Sequence, residues 1–355
     1  MKSALFRVDG SHHLGMGHVM RCLAFAQGLG RRGVKSIFVI RDYKQRVTQL
    51  TQHYGYDVEI IPRDISFAED GALTAQFASQ YGVSLIVNDL SHTENIAHLE
   101  EYHRYFEVLG AAHKFMITID DFTKTDFLHD IQIIPYCGAE NMSYKSRKNS
   151  KLLLGPAYFT FRQEFIEAAK VRREIRKDAQ NILVTMGGSD LLNLTIKVAK
   201  ALNRLNITSL KLQIIIGPGF ETSVKPEVEK VLGDYRGNYG FITESDNMAD
   251  LMLWSDLAIT GGGLTKYETA VTGTPTIIIS QIVREAERNR EFEKEGTALH
   301  LGLGSEVDEQ DIVEAVERLL GDYALRAEMA EKGKNLVDGK GVERIISEIP
   351  NWVLS

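Results

Sequence analysis

The chain has 355 residues, of which 44% are hydrophobic and 25% are charged, so its length predicts about two domains. Its formal net charge of −7 argues against nucleic acid as a partner, and its two cysteines, Cys22 and Cys137, exclude a disulfide framework and a cysteine-rich zinc site. No apolar run approaches the roughly 20 residues that span a bilayer, and Met1–Val8 lacks the apolar core of a signal peptide. We therefore expect a cytoplasmic globular protein without stable membrane insertion.

Short apolar runs alternate with segments of helical periodicity along the first half of the chain. The predicted strands are Ala4–Val8, Ser36–Ile40, Asp57–Ile61, Ser84–Val87 and Phe115–Ile119. The predicted helices are His18–Gly30, Arg46–Tyr54, Ala68–Tyr81 and Glu94–Leu109. This alternation is typical of βαβ units and predicts a parallel sheet.

A charged stretch, Val171–Asp178, interrupts the alternation and is interpreted as a solvated helix end and a linker. It divides the chain into domains 1–170 and 171–355. Beyond it, the predicted strands are Asn181–Thr185, Leu210–Ile216, Tyr239–Ile242, Leu257–Thr260 and Thr276–Ile279. The predicted helices are Leu191–Leu202, Val224–Leu232, Met248–Trp254, Tyr267–Val271, Asp308–Leu320, Tyr323–Lys334 and Gly341–Ile349, the last being a candidate for packing back on the first domain.

The two halves thus predict the same α/β architecture, a pair of Rossmann-like, doubly wound domains with parallel sheets. Ligands bind such sheets at the carboxyl ends of their strands. We therefore expect the two domains to face each other across a cleft and the chemistry to lie in the loops that follow the strands.

The first candidate loop is Gly15-Met-Gly-His-Val-Met-Arg21, between the first strand and the first helix. Gly15 and Gly17 let the backbone approach a ligand, and the helix N-terminus offers N–H groups to an anion. His18 lies at the positive end of the helix dipole, which disfavours imidazolium, so a neutral ring is expected to accept a proton; a capping or packed histidine is the alternative. Arg21 is interpreted as a partner of a phosphate or carboxylate, or as half of a surface salt bridge.

The second domain offers two further glycine loops, each between a strand and a helix. In the first, Gly187 and Gly188 present backbone N–H groups to an anion, while Ser189 or Asp190 caps the following helix. The second is Thr260-Gly-Gly-Gly-Leu-Thr-Lys-Tyr-Glu268, whose glycines suit a diphosphate. Glu268 is expected to accept hydrogen bonds from ribose hydroxyls, or else to be a first-turn glutamate favoured by the dipole. Lys266 is either exposed or adds positive charge near the phosphates.

The segment Phe241–Glu268 resembles the nucleotide-binding half of the GT-B glycosyltransferases of the MurG type. The resemblance implies that Phe241 and Ile242 lie against uracil and that Glu268 binds the ribose. It also implies that the diphosphate is held by the glycine-rich turn, which consists of Gly261, Gly262, Gly263, Leu264 and Thr265. Two further residues are carried over as nucleotide-side contacts, Met248 and Asn289.

Three other segments, Gly15–Cys22, Phe161–Phe165 and Met186–Asp190, are similar to one branch of that superfamily, the PseG/SpsG nucleotide-sugar hydrolases. This resemblance covers most of residues 4–300. It implies the GT-B fold and hydrolysis of UDP-2,4-diacetamido-2,4,6-trideoxy-β-L-altropyranose or a related sugar, in pseudaminic (nonulosonic) acid or surface-polysaccharide biosynthesis. It further implies that His18 orients or deprotonates the attacking water. The loop Asn88–His92, expected to face the sugar, departs from the family sequence and leaves the sugar open.

The expected ligand is therefore a small-molecule UDP-sugar, with no resident cofactor. No metal site is expected at His12, His13 and His18, since no cluster of carboxylates or cysteines accompanies them. An inverting GT-B glycosyltransferase, in which His18 deprotonates a sugar or lipid hydroxyl, is the main alternative. A nucleotide-sugar-binding protein without catalysis is the third. The sequence indicates no oligomeric state.

Overall fold

The computed structural model describes residues 2–10, 16–41, 46–90, 99–119, 128–145, 149–243 and 247–354. It divides the chain into two compact units, of which the first consists of Met1–Gln163 together with Lys340–Ser355 and the second of Glu164–Gly339. Within the described ranges, no helix has both the length and the apolar character that a membrane crossing requires.

Each unit is built on a parallel sheet. In the described residues, the strands of the first unit are β1 (Ser3–Val8), β2 (Lys35–Arg41), β3 (Asp57–Ile61), β4 (Leu85–Asp89), β5 (Phe115–Ile119), β6 (Ile131–Ile134) and β7 (Lys151–Leu154). Those of the second unit are β8 (Asn181–Thr185), β9 (Lys211–Ile215), β10 (Asn238–Ile242), β11 (Leu257–Thr260), β12 (Thr276–Ser280) and β13 (Ala298–Leu303).

The strand order places a topological switch point in each sheet. The spatial orders are β3-β2-β1-β4-β5-β6-β7 and β10-β9-β8-β11-β12-β13, and the pairings are parallel. In both sheets the chain first winds toward one edge and then continues from the centre toward the other. The switch points lie between β1 and β4 and between β8 and β11, where open α/β sheets bind their ligands. Two parallel-sheet α/β domains of this kind were predicted, and that prediction is confirmed.

Helices connect the strands. Those in the described residues are α1 (Gly17–Gly30), α2 (Arg46–His53), α3 (Phe67–Gln80), α4 (Leu99–Gly110), α5 (Gln163–Lys170), α6 (Leu194–Arg204), α7 (Val224–Val231), α8 (Met248–Trp254), α9 (Thr265–Val271), α10 (Val283–Lys294), α11 (Glu309–Gly321), α12 (Tyr323–Leu336), α13 (Gly341–Ser347) and α14 (Asn351–Leu354). The first unit also contains two short 3-10 helices, Ala139–Asn141 and Pro156–Tyr158.

The C-terminal segment belongs to the first unit. Val342 and Ile345 of α13 are buried in the same apolar cluster as Phe25 of α1. Gly28 of α1 lies directly against this helix, because a Cβ atom there would come within 2.1 Å of a methyl group of Val342. The sequence analysis placed one division near residue 170 and ended the second domain at residue 355. In the structure the second unit ends at Gly339, since the apolar face of α13 completes the first core.

The charged stretch after α5 is not a helix end in solvent. Residues 171–178 are irregular, and the guanidinium of Arg173 donates to the carbonyl oxygens of Met252 and Ser255 and to Thr274 Oγ1. Burial lowers the pKa of Arg173 to about 10. The interpretation of this stretch as a solvated helix face was therefore wrong for Arg173, which anchors the stretch on the second unit.

A buried ion-pair network closes the carboxyl ends of β1 and β2. Arg7 donates to both oxygens of Asp9 at 2.7 and 2.9 Å and to both oxygens of Asp70 at 2.8 and 2.7 Å. Arg41 binds Asp70 through its side chain and Asp9 through its backbone N–H, at 2.9 Å each. Two guanidinium groups thus balance two carboxylates, as buried charges require. The network fixes the end of β1, from which the chain continues toward α1.

Candidate active site

His18 and Asp89 meet at the switch point of the first sheet. His18 lies in the first turn of α1, which follows β1, and Asp89 is the last residue of β4. His18 Nδ1 is 2.8 Å from Asp89 Oδ1. The carboxylate is fully buried, whereas 17% of the His18 side chain is exposed. A buried anion therefore holds an imidazole ring that solvent reaches.

Arg21 binds the same carboxylate. Its Nε donates to Asp89 Oδ2, and its Nη2 donates to Oδ1 at 2.5 Å. Burial alone would raise the pKa of Asp89, but the charges of Arg21 and His18 and their hydrogen bonds outweigh burial, so this pKa lies below its ordinary value. Asp89 is consequently ionised near neutral pH and accepts hydrogen bonds only.

The ionised carboxylate sets the tautomer of the histidine ring. Asp89 Oδ1 carries no hydrogen, so its 2.8 Å hydrogen bond to His18 Nδ1 requires the ring hydrogen on Nδ1. Arg21 Nη2 lies 3.0 Å from the same nitrogen, and both groups then donate to Asp89. The neutral ring consequently bears its lone pair on Nε2, the nitrogen that a general base uses to accept a proton.

The surroundings of Arg21 correct one expectation. The residue is only 3% exposed, and its Nη1 donates to Tyr136 Oη, while its backbone carbonyl accepts from Thr160 Oγ1 at 3.1 Å. A surface salt bridge was the alternative in the sequence analysis, and it is wrong because the guanidinium lies inside the domain. Its described hydrogen bonds hold Asp89, and pairing with a phosphate stays a prediction.

The structure also bears on the glycine, histidine and Asn88–Asp89 positions predicted in the first unit. Gly15, His12 and His13 lie outside the described residues, and Gly17 begins α1. Asn88 and Asp89 were expected to face the sugar, yet both side chains are buried, and Asn88 Oδ1 accepts a hydrogen bond from Tyr105 at 2.7 Å. Among the described residues, no three His, Cys, Asp or Glu side chains group as metal ligands would.

The two glycine loops of the second unit lie side by side. They follow β8 and β11, whose last residues, Thr185 and Thr260, are neighbours in the sheet. Each threonine hydroxyl accepts the backbone N–H of the glycine two residues later, at 3.5 Å for Gly187 and 3.4 Å for Gly262. Both glycines have positive φ, 85° and 89°, which other residues rarely adopt. The loops therefore turn in the same way at the second switch point.

Gln281 joins these loops and was not predicted. It follows β12 directly, and its Nε2 donates to the carbonyl oxygens of Met186 and Ser189 at 2.9 and 3.1 Å. Its Oε1 accepts the backbone N–H of Leu191 at 2.7 Å. The signal in the sequence is its position, a polar residue at the carboxyl end of a buried strand, beside the switch point.

Asp190 caps helix α6. Its two carboxylate oxygens accept the backbone N–H groups of Leu194 and Thr195 at 2.7 and 2.8 Å. The capping role that the sequence analysis assigned to Ser189 or Asp190 is therefore filled by Asp190. Because the carboxylate already accepts these two N–H groups, they are not available to an anion.

The remaining residues expected on the nucleotide side differ in exposure. Half-buried positions at the ends of β10 and at the starts of α8 and α9 are occupied by Phe241, Ile242, Met248, Gly263, Leu264, Thr265 and Glu268. Lys266, by contrast, is 3% exposed, and Asn289 is fully buried. Their side chains bind each other, since Lys266 Nζ donates to Asn289 Oδ1 at 2.7 Å. Of the two alternatives for Lys266, exposure was wrong, because α9 begins at Thr265 and turns this side chain inward. Added positive charge near the phosphates stays a prediction.

Comparisons with known proteins agree with this architecture. Residues 181–346 match the model of the glycosyltransferase family 28 C-terminal domain. The chain is 26% identical over 356 residues to the spore coat polysaccharide biosynthesis protein SpsG of Bacillus subtilis, covering 95% of this chain and 94% of that protein. It is 27% identical over 308 residues to the uncharacterized protein MJ1062 of Methanocaldococcus jannaschii, covering 85% of this chain and 60% of that protein.

Solved structures share the fold at low sequence identity. MurG of Acinetobacter baumannii has a TM-score of 0.70 and 13% identity, covering 98% of this chain and 99% of that chain. The Staphylococcus aureus MnaA–UDP co-structure has a TM-score of 0.64 and 15% identity, covering 99% and 97%. UDP-GlcNAc 2-epimerase of Neisseria meningitidis, bound to UDP-GlcNAc, has a TM-score of 0.65 and 12% identity, covering 98% and 99%.

Proposed function

We propose that the chain is an enzyme of the GT-B superfamily acting on a UDP-linked sugar, and that it hydrolyses the bond between the anomeric carbon and the diphosphate. The observation that carries this proposal is the hydrogen-bonded pair of His18 and Asp89. A buried carboxylate that fixes the tautomer of a partly exposed imidazole is the arrangement that activates a hydroxyl or water nucleophile.

The reaction that follows from this pair is a single displacement. His18 Nε2 takes a proton from water while the water oxygen bonds to the anomeric carbon. The bond from that carbon to the phosphate oxygen breaks, and its electron pair leaves with UDP. The products are a free sugar of inverted anomeric configuration and UDP, and the proton on His18 returns to solvent. Asp89 stabilises the imidazolium that forms in between.

The second unit is proposed to bind UDP. Its support is the pair of glycine loops at the β8/β11 switch point, which present backbone N–H groups next to the starts of α6 and α9. Such groups stabilise the negative charge of a leaving diphosphate, and we propose that they do so without a metal ion. Phe241 and Ile242 are assigned to the uracil, and Glu268 to the ribose.

The sugar is proposed to be a deoxy-acetamido sugar of the type UDP-2,4-diacetamido-2,4,6-trideoxy-altrose. The support is the resemblance of the segment around His18 to the PseG/SpsG hydrolases, together with the likeness to a spore coat polysaccharide biosynthesis protein. A role in nonulosonic acid or surface-polysaccharide biosynthesis follows from the same support.

An inverting glycosyltransferase is the second candidate, and the match of residues 181–346 to the glycosyltransferase family 28 C-terminal domain favours it. His18 then deprotonates a hydroxyl of an acceptor instead of water, with the same bonds broken at the anomeric carbon. The roles of the other residues are unchanged.

A substrate panel separates the two candidates. The purified full-length chain is incubated with UDP-sugars in ¹⁸O-labelled water, with and without acceptor sugars or lipids, and the products are weighed by mass spectrometry. Hydrolysis releases UDP and a free sugar carrying one ¹⁸O atom without any acceptor. Turnover that needs an acceptor contradicts hydrolysis and supports transfer. A chain that binds UDP-sugars but turns over none of them under either condition contradicts both.

Replacing Glu268 tests the binding of the nucleotide. We expect Glu268→Ala to raise the Kd for UDP about tenfold or more, because a carboxylate hydrogen-bonded to ribose hydroxyls contributes more than a neutral pair. Isothermal titration calorimetry measures this. Glu287→Ala, an exposed glutamate of α10, is the matched control and should leave the Kd unchanged. Equal affinities of the two variants for UDP contradict the ribose assignment.

A further inference from the structure

A chain of hydrogen bonds runs beneath the Gly261–Gly263 loop. Lys266 Nζ donates to Asn289 Oδ1 at 2.7 Å, Asn289 Nδ2 is 2.8 Å from Ser280 Oγ, and Ser280 Oγ is 2.8 Å from His300 Nε2. The first three residues are buried, and His300 on β13 is half-buried. The chain therefore links the first turn of α9, through α10 and β12, to a ring that solvent reaches.

The ammonium of Lys266 fixes the direction of the first two hydrogen bonds in this series. A lysine ammonium only donates, so the amide atom of Asn289 facing it is the oxygen, and the other atom is the NH₂ group. That group donates to Ser280 Oγ, whose own hydrogen is then directed to His300 Nε2. A neutral His300 ring with its lone pair on Nε2 accepts this hydrogen and completes the series.

This series of hydrogen bonds supports the glycine loop directly. A Cβ atom at Gly262 would lie 2.4 Å from Asn289 Nδ2, so the loop rests on this amide group without room for a side chain. The Lys266 ammonium is held at the start of α9, 5.3 and 5.6 Å from the ring centres of Tyr267 and Phe292. A change in the rotamer of Asn289 consequently displaces both the floor of the loop and a buried cation.

We propose that Asn289, Ser280 and His300 are positioning residues for the Gly261–Gly263 loop, and that protonation of His300 weakens the binding of a nucleoside diphosphate by this loop. The proposal rests on the proposed function, in which this loop holds the diphosphate of UDP. Protonation places a hydrogen on Nε2, and Ser280 then loses the acceptor for its hydroxyl. The serine reorients, and the hydrogen bond that holds the Asn289 amide is lost or weakened.

The surroundings of His300 place its titration in the acidic range. Burial lowers the pKa of His300 below its ordinary value of 6.5; Glu293 of α10 opposes this, and the positive charges of Arg290 and Lys266 add to it. Glu293 also accepts the backbone N–H of His300 at 2.8 Å. The ring is therefore neutral at pH 7, and it becomes protonated, with the expected loss of affinity for the nucleoside diphosphate, as the pH falls into the acidic range.

Calorimetric titration of the full-length chain with UDP between about pH 5 and pH 8 tests the proposal. The phosphate of UDP titrates near pH 6, so the comparison is between proteins at each pH. His300→Gln keeps an acceptor for Ser280 and does not titrate. We expect the loss of affinity for UDP between pH 7.5 and pH 5 to be about threefold to tenfold smaller in this variant than in the unchanged chain. His53→Gln, an exposed histidine of α2, is the control and should follow the unchanged chain throughout.

A second variant tests the positioning role without titration. Ser280→Ala removes the hydroxyl between Asn289 and His300 and should weaken UDP binding about threefold to tenfold at pH 7.5. Ser209→Ala, at an exposed position, should leave UDP binding unchanged. If UDP binds but His300→Gln and His53→Gln have the same pH profile, the inference is overturned. If UDP does not bind the unchanged chain at any pH, the proposed function itself fails, and the inference fails with it.

Discussion

Replacing His18 with alanine is expected to lower kcat for UDP-sugar turnover by about 10²–10⁴-fold, because general-base catalysis contributes a factor of that size. The affinity for UDP should stay nearly unchanged, since the nucleotide is assigned to the second unit. The measurement is steady-state release of UDP, with the Kd for UDP from calorimetry. The ring is 17% exposed and its replacement leaves space, so added imidazole is expected to restore part of the rate.

The matched control for this variant is His53→Ala. This histidine is exposed at the end of α2 and has no assigned role. Its kcat should equal that of the unchanged chain. Full turnover by His18→Ala removes this residue from the mechanism, and an equal loss in both variants points to damaged folding instead of lost chemistry.

Asp89→Asn is expected to lower kcat by about 100-fold or more while KM changes little. An asparagine side chain offers an NH₂ group as well as an oxygen, so it no longer selects the tautomer with the lone pair on Nε2, and it does not stabilise the imidazolium. Because Asp89 acts only through His18, the double variant His18→Ala/Asp89→Asn should be no slower than His18→Ala alone. Steady-state kinetics of the two single variants and the double variant measure this coupling.

Cys22→Ala is the matched control for Asp89→Asn. Cys22 donates its thiol hydrogen to Asp89 Oδ2 at 3.5 Å, and burial raises the pKa of this thiol well above its ordinary value. The variant removes a weak partner of the same carboxylate and should keep kcat within about threefold. Near-UV circular dichroism of Asp89→Asn establishes that the variant is folded although Arg21 has lost charge compensation. Multiplicative losses in the double variant contradict the positioning role of Asp89.

Local patterns predicted most of the second unit. The strand Asn181–Thr185 and the helix Met248–Trp254 have the predicted bounds to the residue. Both are short segments bounded by turn residues, and their length and flanking residues decide the element together with periodicity. The four-residue strands Ile131–Ile134 and Lys151–Leu154 of the first unit were missed. The equally short Leu257–Thr260 was predicted, because it lies between two segments of helical periodicity.

The candidate site was predicted only in part, because some of its residues are far apart in the sequence. His18 and the glycine loops can be recognised from local sequence, because each lies between a predicted strand and a predicted helix. Asp89 lies 71 positions after His18, and the two meet because β4 pairs with β1. Strand order is a property of the whole sheet, so the sequence placed Asp89 in a sugar-facing loop instead. Gln281 was missed because its hydrogen bonds go to backbone atoms of another loop.

The second domain was predicted to end at residue 355, with the helix Gly341–Ile349 as a candidate for packing back on the first domain; in the structure this helix belongs to the first unit. Amphipathic periodicity shows that α13 buries one face, and it does not show which core receives that face. Gly28 is the local sign of this contact, because a side chain at this position of α1 would collide with Val342. A glycine in the middle of an otherwise regular helix often indicates such a close contact. The sequence does not show which element makes that contact.

The return of residues 340–355 to the first unit makes the second unit an insertion within the first. Ser84 Oγ donates to the carbonyl oxygen of Val353 at 2.7 Å, so the last helix is tied to the strand end that opens β4. During synthesis, the first unit lacks part of its core until the ribosome has added these final residues, whereas Glu164–Gly339 is complete as one uninterrupted piece. A chain that stops before Lys340 consequently lacks part of the hydrophobic core of the unit that contains His18, although it keeps every assigned site residue.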